Sequence, residues 1–174
     1  LERWKGHIPL LHALSTIKDR DDWTCWIAGG PQRPHEHAYF QEMQSTAANL
    51  GIQDRVRFLG QRTDVHLLMQ AAEIFCQPNT GPEPFGVVFI EALYSGLPVV
   101  ATSIGGPVEI ITPSVGRLVE PNNPDAVSRA LGKLLSDDLL RKDMATKAPF
   151  RARELCGFEA QLSKLRKILH KLKS

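Results

Sequence analysis

Little in this chain of 174 residues points to export, to a membrane or to nucleic acid. Its cysteines, Cys25, Cys76 and Cys156, are an odd count of 3 at wide spacings with no CxxC pair. That pattern excludes a disulfide framework and a zinc ribbon, and it reads as reduced, mostly buried thiols of a cytoplasmic protein. No apolar run approaches the ~20 residues that a membrane helix needs. The net charge of +2 is too small to imply nucleic acid as a partner. The opening Leu1-Glu2-Arg3-Trp4-Lys5-Gly6 has neither a starting Met nor the three regions of a signal peptide. A chain that opens in this way is expected to be a piece of something longer. What is present is ordinary for a folded protein: hydrophobic content of 43% and charged content of 23% sit at the globular average. The length predicts one domain, residues 1–174, able to bury a core without staples.

Apolar periodicity alternates between helical stretches and short β-rich runs. Ile8, Leu11, Leu14 and Ile17 form a helical stripe, and Trp23 to Ala28 is a compact apolar run closed by Gly29-Gly30-Pro31. In that reading Trp23 and Trp26 are strand and core residues rather than a base-stacking platform. Residues 36 to 50 predict a helix with Gly51 at its C′ position. Arg55 to Gly60 reads as the next strand, and Asp64 as the N-cap of a helix over Val65 to Ala72. A strand over Glu73 to Gln77 leads into a Pro- and Gly-rich loop, Pro78 to Phe85, and then a helix through Glu91 to Tyr94. Leu97 to Ala101 and Val115 to Val119 are further strands. From Asp125 the chain reads as helix to its end, with breaks at Pro149 and Gly157.

Strands alternating with helices predict an α/β fold, a parallel sheet flanked by helices. Ligands of such sheets bind beyond the carboxyl ends of the strands. The corresponding loops are 28–31, 60–64, 78–86 and 102–107.

The most informative segment runs from Thr80 to Leu93. Glu83 lies in the loop, and Glu91 follows eight residues later in the helix. The N–H groups of Phe85, Gly86 and Val87 are that helix's unsatisfied donors, an anion site, and Gly86 lets a ligand approach the backbone. Carboxylates repel phosphate, so Glu83 and Glu91 suit sugar hydroxyls on either side of it. On spacing alone, a buried strand–loop–helix turn with solvated glutamates fits equally well.

The stretch E-P-F-G-V-V-F-I-E-A-L-Y-S-G-L-P-V-V-A resembles the E-x7-E signature of retaining GT-B glycosyltransferases of glycosyl transferases group 1, family 4. Lys5-Gly6, Ile27-Ala28-Gly29-Gly30-Pro31, Val56-Arg57-Phe58-Leu59-Gly60, Gly105-Gly106 with Glu109, and Gly116-Arg117-Leu118-Val119 follow in that family's order. The resemblance covers nearly the whole chain. It implies the carboxy-terminal half of a GT-B fold, the Rossmann-like domain that binds a nucleotide-sugar donor. By the same resemblance Glu83 contacts hydroxyls of the transferred hexose, and Glu91 binds the ribose. Phe85, Gly86 and Val87 offer backbone N–H groups to sugar and diphosphate. Lys5 is the cation that stabilises charge on the leaving group, so Glu83 and Lys5 are the expected catalytic pair. Gln61 and Arg62 meet the base, largely through the backbone. The donor is a UDP-, GDP- or ADP-sugar, and no metal or other cofactor is expected.

The departures from the pattern carry weight too. The family pairs its phosphate-binding Lys with an Arg several residues upstream. Arg3 lies only two residues before Lys5, which places the expected Arg and the domain's first strand before Leu1. The acceptor-binding amino-terminal domain is absent from these residues. Half a cleft should bind donor weakly and transfer sugar negligibly. Two other readings of the chain stand beside this one: an epimerase-like enzyme acting on sugar nucleotides, and a non-catalytic nucleotide-sugar-binding module.

His35-Glu36-His37 is not a convincing metal pair, because residues two apart face different sides of a helix and no third ligand is near. A polar surface patch at a helix start accounts for it. The last fifteen residues carry Lys164, Arg166, Lys167, Lys171 and Lys173 and no carboxylate. Over 158–174 they predict a basic amphipathic helix with Leu162, Leu165, Ile168, Leu169 and Leu172 on one face. That face either packs on a neighbour or touches anionic lipid at the inner face of a membrane.

Overall fold

Short apolar runs become strands here, and the longer stripes between them become the helices that cover both faces of those strands. The computed structural model describes residues 1–171. A single 3-10 turn, Arg3–Lys5, leads into α1 (His7–Ser15). Then follow β1 (Cys25–Ala28), α2 (Glu36–Asn49), β2 (Val56–Gly60), α3 (Val65–Ala71) and β3 (Phe75–Gln77). The second half contains α4 (Val87–Tyr94), β4 (Val99–Thr102), α5 (Pro107–Ile110) and β5 (Gly116–Val119). It ends in α6 (Pro124–Ser136), α7 (Asp138–Cys156) and α8 (Phe158–Lys171).

All strand pairs are parallel, as expected, but they form two sheets, β1–β2 and β3–β4–β5. The strand β4 shows why its sequence is apolar throughout. Val99 and Ala101 face one core with Phe89, Leu93, Ala148 and Ala152, and Val100 faces the other with Leu11, Met43 and Leu134. A parallel strand covered on both faces has no polar side.

The helical tail departs from the sequence expectation. Pro149 does not break α7; it lies inside it. The helix continues because Ala148 and Ala152, one before and three after the proline, are fully buried against the α4 core. That packing offsets the single backbone bond a proline removes. The break falls instead at Asp137, whose side chain accepts from Leu140 N–H at 3.0 Å and caps α7. The start of α6 is built the same way, with Asn123 accepting from Ala126 N–H at 2.9 Å and Pro124 in the first turn. Asp64 does occupy the N-cap position of α3, but its carboxylate caps nothing. It grips Arg62 with two bonds of 2.8 and 2.6 Å, a bidentate pair that takes both oxygens away from the helix amides.

Trp23 is buried, with its indole N–H on Ile17 C=O at 3.0 Å, whereas Trp26 is 44% exposed and not a core residue. The two residues lie three apart, so they leave the strand region on opposite faces. The cysteines are free and half-buried. Burial pushes the Cys25 thiol up to about 12. No described helix is long and apolar enough to cross a membrane. On α8, Leu165, Ile168 and Leu169 are exposed, and Leu172 and Lys173 lie outside the described residues.

Candidate functional site

The first six residues lie across the carboxyl ends of the strands. Thr80 N–H donates to Trp4 C=O at 2.7 Å, which ties the 3-10 turn to the loop after β3. Gly6, at φ +77, turns the chain so tightly that a β-carbon there would fall 1.8 Å from Pro78 O. Lys5 sits half-buried between these two contacts. Leu1 lies beside Gly29, and Gly30 packs against the backbone of Gln61. The Gly29 N–H donates to Gly60 C=O at 2.8 Å. The loops after β1, β2 and β3 are thereby brought together with Lys5.

The loop from Pro78 to Gly86 is braced from beneath. Thr102 donates its hydroxyl to Asn79 C=O at 2.8 Å, and Gln77 donates its amide to Asn79 Oδ1 at 3.0 Å. Asn79 is fully buried, yet its Nδ2 has no partner among the described residues. Glu83 bridges to Gly105, and Gly106 N–H donates to Glu83 C=O at 2.7 Å. Phe85, Gly86 and Val87 then precede the first bond of α4, Phe89 N–H to Gly86 C=O at 3.0 Å. Phe85 and Val87 are exposed, Gly86 is buried, Glu83 is half-buried and Glu91 is exposed. The amides at this helix start can therefore meet a ligand, with a carboxylate before them and another one turn into the helix.

Gln61 and Arg62 are exposed, and the Arg62 guanidinium is held by Asp64. Arg3 is likewise occupied. Its guanidinium pairs with Glu42 and lies 4.5 Å from the centre of the Tyr39 ring, so it is a clamp between the turn and α2. Lys5 has no carboxylate partner among the described residues.

The sequence misplaced Glu36. It is not part of a surface patch but 5% exposed, flanked by exposed His35 and His37. Its Oε2 accepts from the Leu1 amino group at 2.7 Å and from Gln32 N–H at 2.9 Å. The Leu1 ammonium, and then the Gln32 N–H, hold this carboxyl down at about 2. Nothing local marks Glu36, because its partners lie at the start of the chain and in the preceding loop. Among the described residues no three His, Cys, Asp or Glu side chains converge as metal ligands would.

His7 opens α1 beside Tyr39, whose hydroxyl stands 3.4 Å from Nδ1, with the two rings edge to face. Burial, followed by the charges of Lys5 and the Leu1 amino group, pushes its pKa down to about 4. The unfolded chain then binds more protons than the folded one between pH ~6.5 and ~4. Stability is full above that window and falls with pH through it, by up to about 3 kcal/mol for a shift of that size. Urea midpoints at pH 7, 5 and 4 should show the loss in the parent, and His7→Gln should flatten it between pH 6.5 and 4. An equal slope in both proteins would remove His7 from the account.

With this geometry in hand, known proteins provide a comparison. The family model described as glycosyl transferases group 1 matches residues 1–151. The chain is 36% identical over 173 residues to D-inositol 3-phosphate glycosyltransferase of Corynebacterium glutamicum, covering 95% of this chain and 41% of that protein. It spans about two fifths of the length of the curated relatives it matches. Among solved structures, Anabaena Alr3699/HepE in complex with UDP-glucose superposes with a TM-score of 0.85 at 29% identity, over 99% of this chain and 46% of that one. The C-terminal domain of a glycosyl transferase group 1 family protein from Francisella tularensis gives 0.79 at 26% identity, over 87% of this chain and 79% of that one.

Proposed function

The chain belongs to the glycosyl transferases group 1 family, and from that premise we propose that it is the donor-binding wall of a hexosyl-transferring enzyme. Its Rossmann-like α/β architecture is that of the GT-B glycosyltransferases. One observation carries the reading: Lys5 is stitched through Trp4 and Gly6 to the loop that opens α4. A cation, a helix start and two carboxylates thus share one end of the β3–β4–β5 sheet.

Each group has a part. The diphosphate of a nucleotide sugar lies between Lys5 and the amides of Phe85, Gly86 and Val87. These stabilise the charge that grows on the nucleoside diphosphate as the glycosidic bond breaks. Glu91, exposed on the second turn of α4, accepts from the ribose hydroxyls, and Glu83 accepts from hydroxyls of the sugar. Gln61 and Arg62 border the base. Lys5 and the helix amides supply the positive charge, so the reaction proceeds without a metal. Transfer proceeds with retention, to an acceptor held by polypeptide outside these residues. The UDP and UDP-glucose complexes of the Anabaena protein support a nucleotide-sugar donor.

Calorimetric titration of the full-length protein with UDP, GDP and ADP, each free and as its sugar conjugate, tests the assignment. Hydrogen bonds to a charged group are worth about 1.5–3 kcal/mol, so Glu91→Ala should weaken every nucleoside diphosphate about 10- to 100-fold. Glu83→Ala should leave the free nucleotides unchanged and erase the preference for the sugar conjugate. If both variants bind all ligands as the parent does, the site is elsewhere.

A further inference from the structure

Gly105 and Gly106 have no part in the chemistry assigned above, yet both press on the loop that carries Glu83. Gly105 sits at φ +70, and a β-carbon there would fall 2.4 Å from Glu83 O and 2.7 Å from Glu83 N. At Gly106 a β-carbon would fall 2.2 Å from Phe85 O and 2.7 Å from Phe85 C. All four are backbone atoms, so no side-chain rotation relieves the contact, and only glycine permits so close an approach. The Gly106 N–H adds a hydrogen bond to Glu83 C=O at 2.7 Å. Thr102, at the end of β4, ties down the start of the same loop through Asn79 C=O at 2.8 Å. The loop is thus held from β4, the central strand of its sheet and buried at every residue.

Side chains do little of this holding. Pro82, Pro84 and Phe85 are exposed. A cavity of about 220 Å³ lies against Pro84 and Phe85, bounded by Ile90, Ile110 and Leu155. The turn therefore takes its position from the backbone of the two glycines.

The two contacts fall on different peptides, and that separates their consequences. Gly105 meets the nitrogen and the carbonyl oxygen of Glu83 itself, so it fixes the point from which that carboxylate reaches out. The Glu83 side chain then runs past Gly86, where a β-carbon would lie 3.4 Å from Glu83 Cγ. Gly106 meets the Phe85 carbonyl, which shares one rigid plane with the Gly86 N–H. Any shift of that carbonyl turns the Gly86 amide with it.

We propose that Gly105 and Gly106 are positioning residues for sugar transfer, each serving a different part of the donor. Gly105 sets the Glu83 carboxylate against the sugar, and Gly106 sets the Gly86 N–H against the diphosphate. Neither glycine touches the donor. The inference rests on the site assigned under the proposed function.

Gly105→Ala and Gly106→Ala in the full-length protein test it, beside Glu83→Ala. Gly51→Ala is the control for alanine at positive φ, because its β-carbon faces open space. The ligands are UDP and UDP-glucose, or the GDP or ADP pair where that nucleotide binds more tightly. Gly105→Ala should bind free UDP as the parent does and lose the preference for the sugar conjugate. Its kcat should fall about 100-fold, the effect of misplacing a group by ~1 Å. Added to Glu83→Ala, it should change the preference no further, because one residue acts through the other. Gly106→Ala should instead weaken UDP and UDP-glucose by one common factor of about tenfold, the lower end of a hydrogen bond to a charged group. Gly51→Ala should match the parent in every reading.

The same pattern in both glycine variants would make them plain scaffold and overturn the proposal. If Glu83→Ala binds both ligands as the parent does, the site assignment has failed and the proposal falls with it. If Glu83→Ala loses the preference and Gly105→Ala keeps it, the site stands and the proposal alone is overturned. Should a variant fail to fold, hydrogen exchange of the parent decides. UDP-glucose should slow the Gly106 amide, bonded to the Glu83 carbonyl, more than UDP does. Equal protection by the two ligands would overturn the proposal.

Discussion

Gly6→Ala is expected to lower the melting temperature by on the order of 10 °C and to remove nucleoside diphosphate binding with it. Two costs combine. At φ +77 any β-carbon sits in the left-handed region, which costs about 1–2 kcal/mol. At this position the β-carbon also falls 1.8 Å from Pro78 O and 2.6 Å from its carbonyl carbon, both backbone atoms that cannot rotate away. Overpacking of that kind costs about 1–3 kcal/mol, for a total of about 2–5 kcal/mol. In a protein of this size each kcal/mol moves the melting temperature by about 2–4 °C. Gly51 supplies the control. It has φ +70, closes α2 at C′ and faces open space, so Gly51→Ala bears the conformational cost alone. The excess of Gly6→Ala over Gly51→Ala therefore reads the Pro78 contact. Thermal melts of both variants, followed by UDP titration of the folded protein, separate the two effects. Equal melting shifts would show that the first turn yields, and that Lys5 is not held by the loop after β3.

How legible the molecule was depended on how local each signal is. The strands and the first four helices could be read because apolar runs and turn glycines act within a few residues; Gly51 and Gly96 both fall where a helix ends. The tail was misread because Pro149 is a strong local signal overruled by packing on α4, with four elements of chain between them. The Ser136-Asp137-Asp138 run was a capping signal that could have located the true break. Glu83, Phe85, Gly86, Val87 and Glu91 lie on one continuous loop–helix segment, so spacing sufficed to set their positions relative to α4, while their assignment to a site came from the family resemblance. Lys5 reaches that segment only through Trp4, Gly6 and the loop at Pro78–Thr80, contacts across more than 70 residues that no periodicity reports. Glu36 and Asn79 were invisible for a related reason. Glu36 becomes structural only when the Leu1 amino group arrives from 35 residues away, and Asn79 only when Thr102 bonds its backbone carbonyl from β4, with its Nδ2 unpaired among the described residues.

The second large effect distinguishes the two cations at the start of the chain. Lys5→Ala in the full-length enzyme should lower kcat for sugar transfer roughly 100- to 1,000-fold, the usual loss when one group that stabilises developing negative charge is removed. Arg3→Ala should change kcat little, although Arg3 is only two residues away. Its guanidinium is occupied by Glu42 and by the Tyr39 ring, and both of its carboxylate contacts are solvent-exposed. Pairs of that kind contribute at most about 1 kcal/mol of stability. Lys5 is held at the loop that opens α4 and has no carboxylate to share its charge among the described residues. Lys5→Arg discriminates further: it keeps the charge but replaces a compact ammonium with a planar fork, so a partial recovery of kcat is expected. Steady-state kinetics on the three variants, with UDP affinity measured in parallel, decides the matter. A large loss in Arg3→Ala together with a small one in Lys5→Ala would reassign the phosphate-binding cation. It would also require the Arg3–Glu42 clamp to open when donor binds, since that guanidinium cannot serve both partners at once.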